Sequence, residues 1–316
     1  MYEILYNMRI KVLWGISIVG VIAILILSFW LGRSISGSDA QNSSTYPLLA
    51  KRLFMENPND TRINFSPLRK DLNNYVKQND IKGSIYFEYL PTGTSIRVNP
   101  DTRYQAASLM KLPVAMELYK ASEKGLLNLD DTIALKQEWL NNGYGSLYEK
   151  GVGYELTLRE AAKILLTESD NTALRAILAS TEGKLESSEL ALGSLDIEFS
   201  LNQDDSIDIG TRSYASFLKC LYFACYNTKS DSQEILDLLT STPFNDRIVA
   251  GVGEQSIKIA HKIGVFNTQV QSDCGIVYLE NNNYLLCVML ESSDTAEVNA
   301  IFKTISEKVY NFVKPA

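Results

Sequence analysis

The chain has 316 residues, of which 46% are hydrophobic and 21% charged, enough for one large domain or two modest ones with an ordinary core. Its formal charge of −7 leaves no basic footprint, which excludes nucleic acid as a partner. Four cysteines with no Cys-x-x-Cys spacing and a single histidine argue against a zinc site, and no metal or other cofactor is expected.

Residues 12–32, VLWGISIVGVIAILILSFWLG, contain no charge and are long enough to span a bilayer as a helix. Arg9 and Lys11 precede the run and Arg33 follows it, so residues 1–11 are placed in the cytoplasm by a slight positive-inside bias. A cleaved signal peptide is the rival reading, with Ser38-Asp39-Ala40 as a weak cleavage site. The length of the run and its Phe-Trp-Leu ending favour an uncleaved anchor, with the lipid bilayer as a partner. Residues 33–60 form a linker whose start is rich in Ser, Asp and Asn, and residues 61–316 form the folded domain.

From Ser66 the pattern is helical, with Leu68, Leu72, Tyr75 and Val76 on one face. Residues 83–89 and 94–98 read as strands flanking the turn Leu90-Pro-Thr-Gly93. The stretch YQAASLMKLPVAMELY (104–119) follows, placing Ser108 and Lys111 one turn apart at the start of an apolar helix. A hydroxyl there lies beside unsatisfied N–H groups, with a lysine on the same face. Alone, the pair fits a nucleophile with its base, or a helix cap followed by a surface lysine. Residues 125–135 and the Gly- and Asn-rich 137–148 read as loops, the latter suited to a cleft. Residues 157–167 form a helix opened by a Thr157/Glu160 capping box. Ser169-Asp170-Asn171 interrupts it, and helical spacing resumes over 172–179.

Residues 182–210 are polar and irregular, and helices are predicted over 211–226 and 233–239. Residues 256–261 read as a strand ended by Lys262-Ile263-Gly264, with a polar loop over 265–273. Apolar strands follow at 274–279 and 284–290, then an amphipathic helix over 295–313. Pairing the last two strands across 281–283 sets Cys287 opposite Val277, away from Cys274. Cys220 and Cys225 lie five apart on one helix, a poor geometry for bridging. All four cysteines are therefore read as buried free thiols. The element order predicts an α+β fold: an antiparallel sheet built from both ends of the chain, with a helical subdomain at about 120–250 inserted between them.

Ser108-Leu-Met-Lys111, Ser169-Asp-Asn171 and Lys262-Ile-Gly264, in that order, resemble the serine β-lactamase and penicillin-binding protein superfamily, and class A β-lactamases in particular. The segments Phe244-Asn-Asp-Arg-Ile248, Ala260-His-Lys262 and Asp273-Cys-Gly-Ile-Val-Tyr278 extend the likeness, which covers 66 to the C-terminus. It implies a β-lactamase/transpeptidase-like fold with a five-stranded antiparallel sheet flanked by helices. It also implies acyl transfer through an ester on Ser108, with a β-lactam or a peptidoglycan-type peptide as substrate, in a monomer. Lys111 would be the general base, kept partly neutral by burial and by Lys262. Ser169 would relay a proton to the leaving nitrogen, and Asn171 would bind the substrate's amide. The N–H groups of Ser108 and Val265 would form the oxyanion hole. Gly264 would leave room along the strand edge, and Tyr144 would sit on the cleft rim.

Two points bear on activity. Ile263 stands where a Thr or Ser contacts the substrate carboxylate, which weakens binding. Glu198-Phe-Ser-Leu201-Asn202 fits by letter the Glu-x-x-Leu-Asn element whose glutamate activates the deacylating water. The alternation of Ile197, Phe199 and Leu201 with Glu198, Ser200 and Asn202 equally describes a half-buried extended segment with a solvated glutamate. A Glu198 in the cleft implies turnover, and a Glu198 facing solvent implies acyl trapping, as in a penicillin sensor or a wall-peptide binder.

Overall fold

The computed structural model describes residues 63–314 apart from 187–192, 194, 196, 204–205 and 268. The expected anchor at 12–32 lies outside these residues. Among the described residues no helix is long and apolar enough to cross a membrane.

The sheet is antiparallel with five strands in the order β2-β1-β10-β9-β8. β1 (Gly83–Tyr89) and β2 (Thr94–Val98) come from the first part of the domain. β8 (Ile259–Phe266), β9 (Val270–Val277) and β10 (Tyr284–Glu291) come from the last. Helix α1 (Ser66–Gln78) and the C-terminal α8 (Thr295–Val313) pack on one face. There Leu68, Leu72, Phe87, Val288, Phe302 and Val309 share a core. The other face receives α2 (Lys111–Glu123) and α5 (Thr211–Tyr222), with Leu112, Met116, Phe217, Ala260, Ile276 and Met289 in a second core. Both faces are covered, so β9 and β10 are buried nearly throughout and read as continuous apolar runs. Between β3 (Arg103–Gln105) and β8 lie β4 (Thr132–Ala134), β5 (Glu155–Thr157), α3 (Leu158–Thr167), α4 (Asn171–Ser180), β6 (Phe199–Leu201), β7 (Ile207–Gly210), α5, α6 (Lys229–Thr240) and the short α7 (Ile248–Val252). The middle of the chain is thus mainly helical, as expected, with small sheets β3-β7-β6 and β4-β5 that the sequence pattern did not indicate. Thr157 and Glu160 do form the capping box of α3.

Three expectations require correction. β8 does not end at Lys262: it runs on to Phe266, pairing Lys262 with Cys274 and Gly264 with Ser272. The glycine marks a close approach inside the strand rather than its end. The β9–β10 register is Tyr284↔Val277 and Cys287↔Cys274, three residues from the expected one, because the connection spans 278–283 instead of 281–283. That register joins Cys274 to Cys287 by a disulfide. α5 stops at Tyr222, and Ala224 takes a left-handed φ of 48°. The N–H groups of Ala224 and Cys225 then reach back to the carbonyls of Leu221 and Cys220 at 3.0 and 2.9 Å, a Schellman ending. The chain reversal brings Cys225 onto Cys220, and they too form a disulfide. None of the four is a free thiol.

A thiol titration of the denatured, unreduced protein is expected to give no reactive sulfhydryl, and four after reduction. Four before reduction would reinstate the unpaired cysteines.

Candidate active site

Ser108 lies in a 3-10 turn, Ala107–Met110, that feeds directly into α2 at Lys111. With three residues per turn, side chains at i and i+3 eclipse, so Ser108 and Lys111 share one edge by local geometry alone. The turn is held from three sides. The N–H of Ala106 donates to the carbonyl of Ile207 at 2.8 Å, and the Tyr214 hydroxyl donates to the carbonyl of Leu109 at 3.2 Å. On the third side is β8: a Cβ on Gly264 would lie 3.0 Å from Leu109 Cγ and 3.1 Å from the Ala106 carbonyl. Gly264 therefore lets the edge strand pack against the serine turn, a more immediate task than clearing a path for substrate. Ala107, just before the serine, has φ 46°, a left-handed conformation that a residue with a Cβ adopts only when its surroundings enforce it.

The two lysines converge on Ser169. Lys111 donates to the Ser169 carbonyl, to Ser169 Oγ at 3.3 Å and to Asn171 Oδ1 at 2.7 Å. Lys262 donates to the same Ser169 Oγ at 2.8 Å and to its neighbour Ile263's carbonyl at 3.3 Å. Each lysine is only 2% exposed, and among the described residues neither is in an ion pair. Burial pushes Lys111 down to about 8, partly opposed by the Asp170 carboxylate. Burial, then the Lys111 charge, pushes Lys262 down to about 7, opposed by Asp273. Shifts of this size correspond to roughly 3–5 kcal/mol against the charged form. Near neutral pH the pair holds fewer than two protonated ammoniums, which is what a lysine base requires.

Ser169 itself has φ 57°, and Asp170 holds it there. One Asp170 oxygen caps α4, accepting from the N–H of Ala173 at 2.8 Å, and the other accepts from the N–H of Leu147 at 2.9 Å. Asp170 is fully buried. A Cβ on Gly145, which has φ 87°, would fall 2.0 Å from its carboxylate. The N–H of Asn171 donates to the Tyr144 carbonyl at 3.0 Å, and Thr172 Oγ1 exchanges hydrogen bonds with the backbone of Asn141 at 2.9 and 3.2 Å. The 141–147 loop is thus stitched to the Ser169 turn. Asp170 and Gly145 were not among the expected site residues. The signal for Asp170 was present: an aspartate three residues before a helical N–H is the N-cap spacing.

The structure brings together Ser108, Lys111, Ser169, Asn171, Lys262 and Gly264. Val265, next on the edge strand, is 39% exposed. Tyr144, 43% exposed, packs its ring on Phe244 at 6.1 Å, consistent with a rim. Ile263 is buried and brings no hydroxyl. Glu198 is not in the cluster. Its side chain is 81% exposed and pairs with Arg103 Nη2 at 3.4 Å, in a separate surface hollow with Arg97, Asp101 and Arg212. Of its two readings, the solvated glutamate on an alternating segment is the one found. Ile197 turns inward, 5% exposed, while Glu198 faces out. Among the described residues no group of three His, Cys, Asp or Glu side chains is placed to hold a metal.

A family model described as the beta-lactamase enzyme family matches residues 67–313. β-Lactamase VEB-1 of Pseudomonas aeruginosa is 23% identical over 243 residues, covering 69% of this chain and 81% of that one. A β-lactamase structure from Sphaerobacter thermophilus superposes with a TM-score of 0.71 at 21% identity, covering 80% of this chain and 100% of the other. A mutant of PBP-A, solved as its acyl-enzyme complex with penicillin G, superposes with a TM-score of 0.70 at 22% identity, covering 78% and 96%.

Replacing Lys262 with Met removes a buried charge that has no carboxylate partner, in a volume the thioether fills. The variant is expected to be stabilised by about 1–2 kcal/mol, read as a raised Tm at pH 7. A lowered Tm would show that Lys262 is a net stabiliser and that its burial is not strained.

Proposed function

The chain belongs to the beta-lactamase enzyme family, and from that premise we propose that it is a serine hydrolase acylated at Ser108 by a β-lactam or a cell-wall peptide amide, and slow to release the acyl group. The observation that carries this reading is the hydroxyl of Ser169 shared by two buried lysines whose charged forms burial disfavours. In this mechanism a neutral Lys111 takes the Ser108 proton as Oγ attacks the carbonyl carbon. The C–N bond then breaks, and Ser169 passes a proton to the departing nitrogen, resupplied by the Lys111 ammonium that the first step formed, with Lys262 hydrogen-bonded to the same Ser169 hydroxyl. The N–H groups of Ser108 and Val265 hold the oxyanion. Asn171, whose Oδ1 already accepts from Lys111, orients both the base and the substrate's amide side chain.

Slow release follows from Glu198. A carboxylate paired with Arg103 at the surface activates no water in the cleft, so hydrolysis of the ester lacks the base that rapid turnover needs. The same observation favours a second reading, a penicillin-binding or sensor-like domain acylated without turnover. The two differ only in the rate of acyl release.

The reading includes a single-pass membrane anchor at 12–32 with the catalytic domain outside the cytoplasm. Arg9 and Lys11 before the apolar run support that orientation. The disulfides Cys220–Cys225 and Cys274–Cys287 support an oxidising compartment.

A fluorescent penicillin is expected to label the protein covalently and Ser108→Ala to abolish labelling. Labelling that persists in Ser108→Ala would place the nucleophile elsewhere. Because the base must be neutral, the acylation rate is expected to rise with pH through about 7–8 and then level off. A rate that falls over that range would exclude the lysine as base. Glu198→Gln is expected to leave the rate of acyl release within about twofold of the parent, read by loss of label over time. A drop of tenfold or more would return Glu198 to the cleft.

A further inference from the structure

Three of the seven described arginines, Arg97, Arg103 and Arg212, line one surface hollow of about 360 Å³. In a chain of formal charge −7 this gathering runs against the overall balance, and strand register produces it. Arg97 lies on β2 opposite Tyr86, and Arg103 lies on β3 opposite Gly210 of β7. Arg212 follows Gly210 by two residues, on the first turn of α5. Three separate elements thus deliver one guanidinium each to the same place. Gly210 is part of the lining, and its backbone is extended, with φ −86° and ψ 159°, which any residue adopts. A Cβ there would meet nothing nearer than the Thr102 carbonyl at 3.7 Å. The fold does not demand a glycine; what its missing side chain keeps is room in the hollow.

The positive charge in the hollow is only partly answered. Its carboxylates are Asp101 and Glu198, so three guanidiniums face two carboxylates. Among the described residues Arg97 and Arg212 are in no ion pair. Arg103 donates to Ser200 Oγ at 2.8 Å and meets Glu198 through a single contact at 3.4 Å. That contact is longer than the roughly 2.7–2.9 Å of a charge-assisted hydrogen bond. The glutamate is also 81% exposed, so the pair is weak and exchangeable. A guanidinium fork matches the oxygens of a carboxylate or a phosphate two at a time. Three forks offer about six N–H groups, more than the roughly four acceptor sites of one carboxylate. A phosphate monoester has three free oxygens and a second negative charge, and the hydroxyls of Ser213 and Ser216 on the wall suit a polyol attached to it. The hollow falls in the usual range of about 300–1,000 Å³ for small-molecule sites. We propose that it binds a phosphate monoester, carried by a free polyol phosphate or by a lipid headgroup, on Arg97, Arg103 and Arg212. The ligand takes Arg103 from Glu198, so the two compete. The site is separate from Ser108 and requires no covalent step.

The test is calorimetric titration of the full chain, in an uncharged detergent at low salt, with glycerol 3-phosphate and with dihexanoyl phosphatidic acid. Succinate, a dianion without phosphate, is the control. Saturable binding of a monoester with a dissociation constant below about 1 mM, and none of succinate, is expected. Binding of glycerol 3-phosphate alone assigns a soluble ligand, and tighter binding of phosphatidic acid assigns a headgroup; either supports the site. Arg97→Gln and Arg212→Gln are each expected to weaken binding about tenfold while leaving penicillin labelling of Ser108 unchanged. Glu198→Gln removes the competing carboxylate and is expected to tighten binding about threefold. No saturable binding of either monoester overturns the proposal, as does equal binding of succinate. Binding unaltered in both arginine variants places the anion elsewhere and overturns it equally. Weaker binding in Glu198→Gln overturns the placement on Arg103. If one arginine variant fails to fold, the other decides.

Discussion

One oxygen atom, the hydroxyl of Ser169, accepts from two buried lysines, one from α2 and one from β8. Two ammonium groups that close repel each other, and burial removes the water that would screen them. The contact is therefore unfavourable for the fold when both are charged, and it persists because the surrounding structure over-determines it. Asp170 ties down both the α4 N-terminus and the 141–147 loop, and the left-handed Ser169 is held between them. The strain and the unpaired charge sit in the same few residues. That is where a protein that needs a proton-poor lysine at neutral pH has to put them.

The architecture follows from the need to hold that junction rigid. Lys111 and Ser169 are 58 residues apart in sequence, and Ser169 and Lys262 are 93. No local preference brings them together; the second apolar core does. α2 buries Leu112, Ala115 and Met116 there, and β8 contributes Ala260, the residue two before Lys262 on the same face. The edge position of β8 then has a function. An internal strand would have its backbone groups consumed on both sides, whereas an edge strand keeps one side open beside the serine turn. Gly264 sets how close that edge comes.

The motif residues were legible because each carries chemistry that its neighbours in the chain do not explain, and their order did the rest. The helices were legible from their apolar faces, and the buried strands from their runs of Val, Leu and Ile. What was not legible depended on register and direction. The cysteine reading turned on a three-residue shift of the β9–β10 hairpin, and nothing in the apolar runs 274–279 and 284–290 chooses between the two alignments, since both faces are buried. Gly264 reads locally as the end of a strand; only the proximity of Leu109 shows that it is the middle of one. Asp170 was visible as a cap but not as the brace for Gly145 and Leu147, because that contact belongs to the loop's fold. Glu198 matched a functional pattern by letter, and the alternation around it, which is a physical signal, described its actual direction.

The case of Glu198 bears on how acylation and release are divided in this fold. Every group implicated in acylation sits on the turn before α2, at the start of α4 or on β8, all anchored in one core with few degrees of freedom. In the proposed reading the group needed for rapid release would come from the segment before β7, which among the described residues meets the serine turn through the small β3-β7-β6 sheet and the Ala106–Ile207 hydrogen bond. Phe199 is only half-buried and Leu201 is exposed, so β6 gains less from apolar burial than β3 and β7, whose Tyr104 and Ile209 are buried in the second core. In the proposed reading the acylating groups are thus all anchored in one core, while Glu198, on the β6 side, turns its carboxylate to Arg103 and the solvent.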